Sequence, residues 1–119
     1  MSYVDGFVVP VPKAKLDEYR AIAKKAGAIW REHGALEYHE CVADDVKPGK
    51  VTSFPQSVKL EPDETVVFSW IVYESRAKRD EVNGKVMKDP RMADAMNPAK
   101  VPFDGKRMFF GGFETLVEA

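Results

Sequence analysis

Two stretches of this chain are apolar at both alternating sets of positions, and that property limits the fold more than any other. They are Tyr3 to Pro10 (YVDGFVVP) and Glu64 to Tyr73 (ETVVFSWIVY), both rich in β-branched and aromatic residues. A strand sends successive side chains to opposite faces. Each of these must therefore lie inside a sheet, flanked by two neighbours and covered on both faces. Pro10 and Pro12 end the first stretch.

Beyond Lys13 the period changes. Leu16, Tyr19, Ala23, Ala26, Trp30 and His33 recur at three- and four-residue spacing, with Ile22 and Ile29 widening the stripe, which predicts an amphipathic helix ending near His33. Gly34 is the expected left-handed residue after it. His33, in the last turn, reads as a cap or a packing residue. Ala35 to Ala43 (ALEYHECVA) is the second strand, and its polar positions Glu37, His39 and Glu40 mark it as an edge. Residues 44–63 contain Pro48-Gly49, Pro55 and Pro62 and predict an irregular arm or short hairpin, long for a passive connection. Ser75 can cap a second helix reaching Met87, and Asp89-Pro90 restarts a short one ending near Met96. Lys106 to Val117 is the last strand, where Phe109, Phe110 and Phe113 flank Gly111-Gly112, a pair that marks a bulge or a close backbone approach.

The order β-α-β-β-α-β predicts a ferredoxin-like α+β fold, with residues 1–119 as one domain. Two helices cover one face of such a sheet. The apolar surface left on the other face needs a second cover, and another copy of the same sheet is the economical one, so a homodimer is expected. Lys plus Arg number 18 and Asp plus Glu 19, a balance that removes any global electrostatic case for nucleic acid or an anionic membrane. One cysteine and an N-terminus with neither a basic head nor an apolar stretch predict a cytoplasmic protein.

The nucleophile and phosphate motifs fail: no Ser sits in a Gly-x-Ser-x-Gly elbow, and no Lys follows Gly111-Gly112. Nothing in the chain calls for a cofactor. Glu37, His39 and Cys41 leave one strand face together, but alternating polar residues on an edge are ordinary, and no metal site is assigned. Phe68 to Tyr73 loosely echoes the base-stacking motif of RNA-recognition domains, without its leading Lys/Arg-Gly, and RNA binding is the least favoured reading. Asp5 stands out as a carboxylate on an otherwise apolar central strand, where it is either tied into a structural hydrogen-bond network or poised as a general base. The candidate site is Asp5 as base and His39 as its polar partner, with Phe7, Trp70 and Phe110 lining a pocket for a small, largely apolar or aromatic ligand. A non-catalytic binding or protein-interaction module is the alternative.

Several segments resemble the YbaA-like bacterial family of unknown function: YVDGFVVPVP at Tyr3 to Pro12, EHGA at Glu32 to Ala35, VTSFP at Val51 to Pro55, DPRM at Asp89 to Met92, PFDGKRM at Pro102 to Met108 and GGFE at Gly111 to Glu114. The resemblance spans nearly the whole chain. It implies the dimeric α/β-barrel superfamily, whose members include cofactor-independent monooxygenases of polycyclic phenols, haem-degrading monooxygenases and small isomerases. The haem-degrading branch uses an Asn on the first strand, a Trp on the third and a His on the following helix. Here Trp70 stands on the third strand, but the first offers Asp5, and Ser75 to Met87 contains no His.

Overall fold

The computed structural model describes residues 2–119. Four antiparallel strands form one sheet: β1 (Tyr3–Pro12), β2 (Glu37–Val42), β3 (Glu64–Tyr73) and β4 (Phe109–Glu114), in the spatial order β2-β3-β1-β4. The two doubly apolar stretches are the two central strands, paired from Tyr3 with Tyr73 to Pro12 with Glu64. This is the ferredoxin-like α+β architecture.

Three of the helices lie on one face. A single 3₁₀ turn at Lys13–Lys15 precedes α1 (Leu16–His33), so the α-helix proper begins three residues later than its periodicity suggested. Gly34 ends it at φ 122°, in the region that favours glycine. Ser75 caps α3 (Arg76–Lys88) by accepting from the Lys78 N–H. Asp89 does the same for α4 (Pro90–Ala95) through the Arg91 N–H. The His33 ring lies 2.8 Å from Asp89 Oδ2, tying the end of α1 to the start of α4. The core fills the space between α1, α3 and the sheet, with Tyr73, Ile71, Val82 and Val86 fully enclosed.

Two expectations need correcting. The 44–63 arm contains a one-turn helix, α2 (Phe54–Ser57), because Ser53 caps it and Pro55 falls in its first turn, where the missing N–H costs nothing. The last strand is shorter than Lys106 to Val117: Arg107 turns aside to clamp Glu64 with two bonds of 2.7 Å, and pairing with β1 starts only at Phe109. Among the described residues, no helix is long and apolar enough to cross a membrane.

Candidate functional site

Asp5 sits on central β1 beneath α3 and is 5% exposed. Three groups converge on its carboxylate. The Tyr73 hydroxyl lies 2.9 Å from Oδ2, Asn83 Nδ2 lies 3.4 Å from the same oxygen, and Arg79 Nε stands 3.4 Å from Oδ1. Asn83 is oriented in turn by Trp30, whose indole N–H donates to its Oδ1 at 3.0 Å. Burial, and then the negative charge of Asp5, push the Tyr73 phenol well above its ordinary range, so it remains a donor at neutral pH. Arg79 reaches past Asp5 to Tyr3, donating to its hydroxyl at 3.0 Å with the guanidinium 4.9 Å from the ring centroid. Its Nε is the one buried side-chain nitrogen or oxygen among the described residues with no hydrogen-bond partner.

The glycine pair on β4 makes room for this cluster. A Cβ on Gly112 would stand 2.2 Å from Arg79 Nη2 and 2.5 Å from the Tyr3 hydroxyl. Close approach, the second of the two roles expected for the pair, is what the geometry requires there.

The cluster floors a cleft of about 450 Å³ between β1, β4 and the helices α3 and α4. Its walls are apolar and soft: Phe7, Phe110, Trp30, Met87, Met92 and Met96. Phe7 and Phe110, cross-strand partners, stack with centroids 5.5 Å apart. A smaller cavity of about 90 Å³ adjoins the cleft beneath α1, sharing Phe7, Trp30, Met92 and Met96 and reaching Glu40 and Ser69. A carboxylate, a buried donor and an amide at the end of an apolar slot can orient a ring compound by its polar substituent and exchange a proton with it.

Three of the five sequence-derived candidates, Asp5, Phe7 and Phe110, meet at this cleft. Trp70 and His39 do not. The register pairs Gly6 with Trp70 and His39 with Trp70, so both side chains leave the sheet on the face opposite Asp5. There the two rings stack at 4.8 Å, and His39 Nε2 lies 3.0 Å from Glu37. The expectation that Trp70 stands beside Asp5 is therefore overturned by strand parity. Trp30, Tyr73, Arg79, Asn83 and the methionines were missed. One signal was available: Arg79 and Asn83 are four apart on α3 and so share one helix face.

Fold and cleft together define a ferredoxin-like α+β chain with an apolar, polar-floored space between its helices and its sheet. The chain belongs to the family described as "Protein of unknown function (DUF1428)", whose model matches residues 2–105. It is 53% identical over 118 residues to the uncharacterized protein YbaA of Escherichia coli (strain K12), covering 99% of both chains. Among solved structures it resembles a NIPSNAP family protein from Agrobacterium tumefaciens, with TM-score 0.62 and 18% identity over 96% of this chain and 92% of that one. SnoaB, a cofactor-independent oxygenase from Streptomyces nogalater, superposes with TM-score 0.64 at 9% identity, covering 98% and 95%. A dimeric ferredoxin-like protein from an uncultured marine organism matches along the full length of both chains, with TM-score 0.61 and 8% identity. At such identities these structures speak for the fold alone.

Proposed function

We propose that this protein binds a small, largely apolar ring compound in the cleft above Asp5, and that Asp5 exchanges a proton with it. The observation that carries the reading is the pairing of an aromatic and methionine-lined slot with a floor that holds a carboxylate and an unpartnered buried Arg79 Nε. Its nearest acceptor, Asp5 Oδ1 at 3.4 Å, is too poorly aligned for a hydrogen bond, and a polar substituent on the ring can accept that N–H. The oxygenase description of SnoaB marks one chemistry that this fold can host without a cofactor. In such a step Asp5 takes a proton from an activated ring CH₂. The resulting electron-rich carbanion reduces dioxygen, one oxygen atom ends as a ring carbonyl, and the other leaves as water.

Anthrone, which has such a CH₂, serves as the probe. The wild-type protein should bind it and consume oxygen while forming the quinone. Asp5→Asn should keep binding within about threefold and lose turnover. The second reading is a non-catalytic binding module, favoured by the donors that already face both Asp5 oxygens. On that reading Asp5→Asn lowers Tm and alters no reaction. Absence of any binding in the cleft would defeat both.

We also infer that the bare face of the sheet is covered by a second copy of the chain. Phe68, Phe109 and Phe113 are 42%, 46% and 64% exposed there, with Trp70 half-buried between β1 and β2. Phe54 of α2 adds to the patch, packing edge-on against Phe68 at 5.7 Å. The marine-organism protein of the same fold is described as dimeric. His39 and Trp70 then belong to an interface, not to the cleft.

A further inference from the structure

The flank of α1 opposite the Asp5 cleft holds a second space that none of the sequence-derived candidates touches. A groove of about 540 Å³ runs between α1 and edge strand β2. Its floor is Glu40, which strand parity turns toward the helices, facing Ser69 across the register. Two phenols hold this carboxylate: the Tyr19 hydroxyl donates to Oε1, and the Tyr38 hydroxyl donates to Oε2 at 2.5 Å. The acid charge and burial act together on both tyrosines, burial more strongly, keeping them protonated donors. No cation lies within salt-bridge distance of Glu40 among the described residues, so half-buried negative charge is balanced by neutral donors only. Each carboxylate oxygen carries two lone pairs, and one on each remains open.

The helix is shaped around this arrangement. A Cβ on Gly27 would stand 2.7 Å from Cδ1 of Tyr38, so glycine is what lets the ring lie against α1 with its hydroxyl on Glu40. Apolar walls come from Leu16, Val42 and Val67. The mouth is basic: Arg20, Lys24 and Arg31 project along the same helix face. All three are exposed; Arg20 is engaged with Asp17 and Arg31 with the Leu36 carbonyl, which leaves Lys24 as the rim cation without a side-chain partner among the described residues.

We propose that this groove binds a hydroxyaryl carboxylate, its ring between the apolar walls, its hydroxyl donating to Glu40 and its carboxylate at the mouth beside Lys24. The polarity along the groove selects that class. An acceptor or anion at the floor would meet Glu40, and a cation would have to pass the basic rim. A plain hydrocarbon would leave the open Glu40 lone pairs without a donor. The site uses none of the residues of the Asp5 cleft and stands whether or not that cleft binds a ligand.

The test uses the full chain and 4-hydroxybenzoate, with benzoate and tyramine as the probes that lack the hydroxyl and reverse the charge, followed by calorimetry and amide NMR. Binding of 4-hydroxybenzoate should shift the Ala23 and Gly27 amides and exceed that of either other probe by at least tenfold. Glu40→Gln should weaken it about tenfold. Lys24→Glu, on the exposed helix face where folding is not at stake, should also weaken it severalfold, while Asp5→Asn should leave it unchanged. Equal binding of benzoate, shifts confined to Gly111 and Gly112 at the other cleft, or no binding at millimolar concentration would each overturn the proposal.

Discussion

The two faces of this sheet are built by alternate residues of the same strands, yet they have opposite characters. The helix-covered face carries Tyr3, Asp5, Val9, Val11, Ile71 and Tyr73, all buried within one chain, and it holds the buried polar residues Asp5 and Ser69. The other face carries Phe68, Trp70, Phe109 and Phe113, with His39 and Cys41 at its margin, and among the described residues it is covered at one end, by α2, its flanking residues and Arg107 on the buried Glu64. A strand that is apolar on both sides thus answers to two different partners. One is supplied by the same polypeptide, and the other, on the proposal above, by a second copy of it.

The sharpest way to test that contrast is to cut one large side chain from each face. Tyr73→Ala, on the helix side, removes a fully enclosed ring and strands Asp5 and Asn83 without their shared donor; a loss of about 3–5 kcal/mol is expected in denaturant unfolding, independent of protein concentration. If the loss depended strongly on concentration, the two faces would not be separable. On the bare face, Phe68→Asp combined with Phe113→Asp should convert a dimer at micromolar concentration into monomers by sedimentation, with the Tm no longer rising with concentration. A wild-type protein that sediments as a monomer at high concentration would break the comparison, because the exposed aromatics would then have no cover.

The smallest effect concerns the clamp of Arg107 on Glu64, at the α2-covered end of the other face. The paired hydrogen bonds from Arg107, with its positive charge, hold the Glu64 carboxyl below its ordinary value of 4.5. A depressed acid contributes stability that is complete above its unfolded value and is lost as pH falls through the lower folded one. Unfolding midpoints should therefore decline below about pH 4.5. Glu64→Gln should be less stable at neutral pH and show a shallower decline on acidification, with urea titrations at a series of pH values as the measurement.

Much of the fold was legible because its signals are local. Double apolarity identified β1 and β3 as central, Gly34 marked a helix end, and Ser75 and Asp89-Pro90 marked helix starts through hydrogen bonds to residues two or three further on. The one-turn α2 escaped because prolines read as breakers unless the cap before them is recognised. The site was only half legible for a different reason. Which candidates share a space depends on register between strands distant in sequence, and a shift of one residue exchanges the faces. Asp5 and Phe7 could be grouped from β1 alone. Placing Trp70 required knowing that it lies opposite Gly6 and not opposite Asp5. On β2 the chemistry-bearing types Glu37, His39 and Cys41 form the set on the bare face, while Tyr38 and Glu40 between them face the helices.

The methionine walls of the Asp5 cleft have a consequence for its durability. A thioether that gains one oxygen becomes a polar sulfoxide, and the change is reversible only by dedicated reductases. Met87 and Met96 are 66% and 38% exposed at the rim, whereas Met92 is enclosed beneath them. Peroxide should therefore wet the entrance first, with the core intact and the chain still folded. If the cleft takes an apolar guest as proposed, oxidation at its rim should weaken that binding before it unfolds the chain.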